Sequence, residues 1–122
     1  MTQDLVTEGE SLDINVDHSD KRVVVRLRGR VGLDSSPALR DRLLAILQGQ
    51  VPKIIIVDLA EVSFIDAAGI ATLLEALKLA RHRQLTLCLK GLHGRVVRLF
   101  QVTGLQAVFD SGCKDGLPVE VN

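Results

Sequence analysis

The stretch that decides the fold is KIIIVDLAEVSFIDAAGI, residues 53–70. Residues 53–59 form a β-branched run without polar alternation, which is typical of a strand covered on both faces of a sheet. Residues 61–66 are predicted as a loop. From Ala67 the apolar residues recur at helical spacing as far as about Arg83. The stretch therefore predicts a buried strand, a loop and a helix in immediate succession.

Upstream, two segments alternate between apolar and other residues. The first carries Leu12, Ile14 and Val16, and a turn at residues 18–21 separates it from a second segment that ends near Gly29. This period of two predicts an antiparallel hairpin.

A helix-start signal follows in residues 34–37, Asp-Ser-Ser-Pro, and Leu-rich helical spacing continues to Gln48 before Gly49. A strand, a helix and a second buried strand imply a crossover connection between parallel strands.

Downstream, residues 85–89 are predicted as a strand and a helix is expected between His93 and Gly104. A short last strand is expected at residues 108–109 or 119–121. The sequence thus predicts an α/β domain with a mixed sheet of four to five strands, antiparallel at first and then parallel, and three to four helices. Residues 1–10 are predicted as a mobile leader and residues 11–122 as one domain.

The composition limits the classes of partner. Fifteen basic residues balance fifteen acidic ones, no long run of one sign occurs, and the aromatic residues are three Phe, so nucleic acid is not an expected partner. The first ten residues lack a signal-peptide pattern, and no apolar run is long enough to span a bilayer. A cytoplasmic protein without membrane insertion is expected.

Catalytic chemistry is not legible in the sequence. Two cysteines are too few and too far apart in sequence for a disulfide framework or a zinc site, and Cys88 is predicted to fill the core. No phosphate-binding glycine loop or dinucleotide fingerprint occurs, so neither an enzyme nor a cofactor is predicted.

The start of the second helix is the most informative site. Asp66 is placed to cap this helix, and the next residues, Ala67, Ala68 and Gly69, are the smallest available. Glycine in the first turn costs up to about 1 kcal/mol relative to alanine, so Gly69 indicates a close approach. The smooth helix start favours a surface against which another chain could lie.

The segment VDLAEVSFIDAAGI, residues 57–70, resembles the signature of STAS domains, specifically of bacterial anti-sigma factor antagonists. That signature commonly reads as an apolar strand, Asp-Leu, a short loop and Asp-Ser-Ser-Gly-Leu/Ile. The hairpin ending at Gly29, the Leu-rich first helix and the late GLHGRVVRLFQVTGL, residues 91–105, also resemble the family.

The resemblance implies a switch function. Family members bind an anti-sigma factor, often one with a serine-kinase-like fold, and so free a sigma factor for transcription. The kinase phosphorylates the first Ser of the signature, and the complex dissociates.

This sequence departs from the family pattern at the phosphoacceptor position, which is Ala67 and has no hydroxyl. In addition, Gly32 stands where the family often carries an aspartate. Two hypotheses remain. The chain is an antagonist that phosphorylation does not switch, or it is a stand-alone STAS scaffold in a stressosome-like or transporter-associated complex. The formation of a homodimer stays open.

The partner-facing surface is predicted at the start of the second helix and along its polar side. Its members are Asp66, Ala67, Ala68, Gly69, Thr72, Glu75 and Leu79. Leu79 is the exposed apolar candidate, with packing under the neighbouring helix as the alternative.

Overall fold

The computed structural model describes residues 12–49, 53–110, 113–114 and 117–118. Over these residues the elements are β1 (Leu12–His18), β2 (Arg22–Val31), α1 (Ser36–Gln48), β3 (Ile54–Ile65), α2 (Ala67–His82), β4 (Thr86–Lys90), α3 (Gly94–Val102), α4 (Leu105–Asp110), β5 (Cys113–Lys114) and β6 (Leu117–Pro118). The predicted leader, residues 1–10, and the alternative last strand at residues 119–121 lie outside the described residues.

The main sheet has the order β1-β2-β3-β4, with β1 at one edge. β1 and β2 form the predicted antiparallel hairpin, with Leu12 opposite Gly29 and His18 opposite Val23. β2 and β3 are parallel, as are β3 and β4. The predicted mixed sheet, antiparallel first and then parallel, is confirmed.

The core lies between the sheet and its helices. Alternate residues of β2, β3 and β4 face the helices, and the helices meet them with leucine and alanine at intervals of three and four residues. The sheet contributes Val23, Val25, Leu27, Ile55, Val57, Leu59, Leu87 and Leu89, and the helices contribute Leu39, Leu43, Leu47, Leu73, Ala76, Leu77, Ala80, Val96, Phe100 and Phe109.

On the opposite face of the sheet, Ile56 and Cys88 are also fully buried. β3 is therefore covered on both faces, as its sequence predicts. Cys88 is also disulfide-bonded, which the cysteine spacing did not indicate. On β1 the exposed positions alternate with half-buried ones, and they carry Asp13, Asn15 and Asp17.

Two predictions about the elements are wrong. Residues 61–65 continue strand β3 instead of forming a loop, because they pair with the end of β2 across irregularities in the register. Residues 108–109 belong to α4 and not to a strand. There the ring of Phe109 meets the ring of Phe100 edge to face at 5.8 Å, which fixes α4 against α3.

Across the described residues, none of the helices has the length and apolar character needed to cross a membrane.

Candidate functional site

The site is built around Asp66, where β3 ends and α2 begins. Asp66 has an extended backbone, and its Oδ1 accepts a hydrogen bond from the Gly69 N–H at 3.1 Å. This contact satisfies one of the unpaired N–H groups of the first helical turn. The predicted helix cap is confirmed.

The second carboxylate oxygen of Asp66 holds a different segment. Its Oδ2 accepts a hydrogen bond from the N–H of Leu33, in the loop between β2 and α1, at 3.2 Å. The Asp66 N–H in turn donates to the carbonyl of Val31 at 3.2 Å. One residue therefore fixes the start of α2 and the β2–α1 loop relative to each other.

Gly69 makes the close approach that its position indicated, but toward this chain and not toward a partner. A Cβ atom on Gly69 would lie 2.5 Å from the Val31 carbonyl oxygen and 2.8 Å from side-chain carbons of Val31 and Ile65. Gly69 is buried, so its expected exposure is wrong. Its function in the structure is to let α2 pack on the end of β2.

Gly32 makes room for the Asp66 carboxylate. A Cβ atom there would lie 3.0 Å from Asp66 Oδ2 and 3.3 Å from the Phe64 ring. An aspartate at this position would bring a second carboxylate against the first.

At the start of α2, Ala67 is exposed and Ala68 is half-buried. The hydroxyl groups of nearby residues are engaged with backbone carbonyls. Ser63 Oγ donates to Gly29 O at 3.2 Å, Ser35 Oγ to Arg30 O at 2.7 Å, and Thr72 Oγ1 to Ala68 O at 3.1 Å.

Contrary to the prediction, the polar side of α2 does not face outward. Thr72 is only 7% exposed, and Leu79 is half-buried and packs against the core. Glu75 is half-buried and pairs with Arg40 of α1, with two N–O distances of 2.8 Å. This side of the helix therefore lies against α1, and the exposed side carries Ala67, Ala71 and Lys78.

The Arg40–Glu75 pair has the geometry of a bidentate guanidinium–carboxylate contact. The hydrogen bond from Arg40, together with its positive charge, lowers the pKa of Glu75. The same contact raises the pKa of Arg40. This ion pair links α1 to α2 at the surface, above the buried leucines through which the two helices pack.

Sequence reasoning missed Leu33. Its side chain is 75% exposed, although its backbone N–H is held by Asp66. The available signal was a leucine directly before the helix-start residues 34–37, outside the apolar spacing of the strand and the helix.

A pocket of about 200 Å³ lies beside Leu33, lined also by Arg30, Gly32, Asp34, Ser35, Phe64 and Asp66. Within it the Arg30 guanidinium lies 4.0 Å from the centre of the Phe64 ring, a cation–π contact.

Within the described part of the chain, no three His, Cys, Asp or Glu side chains are grouped so as to hold a metal ion. Asp66 holds the backbone of the β2–α1 loop and of the start of α2 in place. Leu33 and Ala67 are exposed there and are available for contact.

This fold and site define a small α/β protein in which a helix begins directly after a buried parallel strand and exposes a small side chain, Ala67, in its first turn. A family model described as Mlab, STAS domain, matches residues 14–110. The chain belongs to the STAS domain family, as its signature predicted.

Three similar proteins illustrate the family. The anti-sigma-B factor antagonist of Bacillus subtilis (strain 168) is 28% identical over 105 residues, which cover 85% of this chain and 94% of that protein. The anti-sigma-B factor antagonist of Listeria monocytogenes is 31% identical over 96 residues, which cover 79% and 80%. A solved structure of the Bacillus cell fate determinant SpoIIAA in its phosphorylated form has a TM-score of 0.64 at 19% identity, covering 78% and 86%, and shows the shared fold.

Proposed function

We propose that this chain is an anti-sigma factor antagonist that phosphorylation at the start of α2 does not control. In the cytoplasm it binds an anti-sigma factor of serine-kinase-like fold and so frees a sigma factor for transcription. The bacterial relatives named anti-sigma-B factor antagonists support the general role. The absence of control by phosphorylation rests on one observation: the phosphoacceptor position holds Ala67, an exposed alanine.

The docking patch in this proposal consists of Leu33, Ala67, Ala68 and Ala71, with Asp66 beneath it. Leu33 supplies an apolar anchor, and the three alanines allow a partner's backbone to approach closely. Asp66 ties the loop of Leu33 to α2 through its two carboxylate oxygens, so the anchor and the smooth helix start are held in one arrangement. Less conformational freedom is then lost on binding.

The physical reason why phosphorylation does not control binding lies at the start of α2. A phosphate would add roughly −1.5 to −2 charges to a surface that must lose its water against the partner. Ala67 cannot accept one. The hydroxyls of Ser35, Ser63 and Thr72 donate to backbone carbonyls of the chain and lie outside the first turn of α2. The chain is therefore expected to remain in its binding-competent form in the presence of ATP.

The central experiment uses the purified chain as bait in a lysate of its own source, with the partner identified by mass and then purified. Ala67→Asp is expected to weaken binding at least about thirtyfold, because an unpaired charge buried in an interface costs about 2 kcal/mol or more. The matched control is Ala45→Asp on the exposed side of α1, which is expected to bind as the original chain does.

Stability separates a binding effect from a folding effect. A carboxylate in the first turn of α2 interacts favourably with the helix N-terminus, by about 0.3–1 kcal/mol. Ala67→Asp is therefore expected to unfold at the same or a slightly higher temperature while its partner binding is lost. Retained affinity in this variant would show that the patch is placed wrongly.

Restoring the hydroxyl tests the kinase-like partner. With Ala67→Ser, ATP and the captured partner, the intact mass is expected to increase by one phosphate, and the complex is expected to dissociate. The original chain is expected to stay bound under the same conditions. Recovery of transporter subunits or a sensor complex, in place of an anti-sigma factor, would instead favour the scaffold hypothesis.

A further inference from the structure

The charge of the chain is balanced overall but divided unevenly along it. Residues 76–109 contain no Asp or Glu, although Glu75 and Asp110 stand at either side. Their basic residues are Lys78, Arg81, Arg83, Lys90, Arg95 and Arg98. The overall balance of the composition therefore conceals a strongly basic segment, whose compensating negative charge lies elsewhere in the chain.

The structure places this positive charge on the surface. All six residues are exposed except Lys90, which is half-buried. The ion pairs among the described residues involve Arg26, Arg28 and Arg40, and none involves a basic residue of the 76–109 segment. Arg81 donates from Nη2 to the carbonyl of Val108 at 3.1 Å, which links the end of α2 to α4.

Exposed large apolar side chains occur on α3 and α4 as well. In the part of the chain that the structure describes, the exposed large apolar residues are Val102 at 74%, Val108 at 37%, and Leu33 in the docking patch. On α3, Arg95, Arg98 and Val102 follow the spacing i, i+3 and i+7 and share one side of the helix. The other side of α3 is buried in the core through Val96 and Phe100.

We propose that these residues form a second docking surface, the α3–α4 patch, which binds a protein segment whose carboxylates surround aliphatic side chains. The patch comprises Arg81, Arg95, Arg98, Val102 and Val108. Exposed aliphatic side chains together with arginines are typical of protein–protein interfaces, in which arginine is enriched. The exposed guanidinium groups favour negative charge in the occupant, since like charges facing each other would oppose association.

Other anionic macromolecules fit the patch less well. A nucleic acid offers phosphates to the arginines, but the exposed residues of α3 and α4 include no aromatic ring on which bases could stack. A membrane-surface helix needs a broad free apolar side, and that side of α3 is already used in the core. An acidic and aliphatic protein segment uses both the arginines and the valines.

This inference goes beyond the proposed function, because Arg81 of the α3–α4 patch lies in the last turn of α2, whereas Ala67 of the docking patch lies at its start. The 16 residues of α2 span about 24 Å at the rise of an α-helix. That distance is larger than the Debye length of about 10 Å at 0.1 M salt, so charge at one end acts weakly on the other. The two patches share no residue, so binding at one is expected to be independent of binding at the other.

The test is a titration of the full ¹⁵N-labelled chain with a synthetic amphipathic helix that carries Glu and Leu. The same peptide with Lys in place of Glu, a single-stranded DNA oligonucleotide and phosphatidylglycerol vesicles serve as comparison probes. The acidic peptide is expected to shift the amide signals of α3 and α4 and to leave those of Asp66 and Ala67 in place. Its affinity is expected to decrease with added salt.

Two double variants with the same change in net charge show whether the position of the basic residues affects peptide binding. R95Q/R98Q removes two arginines of the patch, and R42Q/K53Q removes two exposed basic residues elsewhere. R95Q/R98Q is expected to weaken peptide binding about tenfold, which corresponds to about 1.4 kcal/mol. R42Q/K53Q is expected to weaken it less than about twofold. Val102→Ser is expected to weaken it without any change in charge.

Ala67→Asp is expected to bind the acidic peptide normally, which keeps this proposal separate from the anti-sigma factor proposal. Equal losses of peptide affinity in the two double variants would show that only the net charge of the chain matters, and this result would overturn the proposal. So would tighter binding of DNA or vesicles at the same amides, or an acidic peptide that leaves α3 and α4 unshifted.

Discussion

The carboxylate of Asp66 provides the most direct test of how the site is held together. Its two oxygens accept hydrogen bonds from the N–H groups of Gly69 and Leu33, at 3.1 and 3.2 Å. In Asp66→Asn the side chain keeps its shape but has one acceptor oxygen, and its NH₂ group must face one of the two N–H donors. Either the cap of α2 or the tie to the β2–α1 loop is then lost.

The magnitude follows from these contacts. Losing one hydrogen bond to a charged acceptor costs about 1.5–3 kcal/mol, and half-burial of Asp66 places the value toward the lower end. Loss of the negative charge at the helix start adds about 0.3–1 kcal/mol. Asp66→Asn is therefore expected to lower the free energy of unfolding by about 2 kcal/mol, or the melting temperature by about 8 °C for a domain of this size.

The assay combines urea unfolding with amide hydrogen exchange followed by NMR. Exchange is expected to accelerate at only one of Leu33 and Gly69 in Asp66→Asn, and at both in Asp66→Ala. Asp34→Asn is the matched control, because Asp34 is exposed in the same loop and makes no hydrogen bond in the described part of the chain. A loss below about 0.5 kcal/mol in Asp66→Asn, with unchanged exchange at both amides, would refute the argument.

Two further predictions concern α2. Gly69→Ala is expected to destabilise the fold by about 1–3 kcal/mol in urea unfolding, because its Cβ would overlap the Val31 carbonyl, although alanine favours the helix by about 1 kcal/mol; a more stable variant would contradict the close packing. Arg40 lowers the pKa of Glu75, so the pair stabilises the fold above the ordinary pKa of the carboxyl, and this contribution is lost as pH falls through the lowered value. Acid titrations of unfolding should therefore show a smaller loss of stability in Glu75→Gln than in the original chain, and parallel curves would argue against the pair.

Local patterns predicted the parts of the fold that depend on neighbouring residues. The hairpin of β1 and β2 follows from a period of two, and the start of α2 follows from a capping aspartate before good helix formers. The family signature indicated the candidate site because its aspartate and glycine, Asp66 and Gly69, match in position. These features need no knowledge of the tertiary structure.

The errors arose where distant residues decide the outcome. The helical spacing of the inward-facing apolar residues predicted that Thr72 faces outward, but its hydroxyl donates to a carbonyl one turn earlier and can therefore be buried. Glu75 was expected to face solvent, but its partner Arg40 is 35 residues away in sequence. The close approach at Gly69 was inferred correctly, but only the structure shows that Val31 is the neighbour.

The alternation on β1 has a consequence for behaviour at high concentration. β1 is an edge strand of the main sheet, and an edge strand can recruit a strand from another molecule. Its exposed positions carry Asp13 and Asp17, so a second copy that pairs antiparallel along β1 would bring carboxylates close together. These carboxylates on β1 thus discourage strand-by-strand polymerisation.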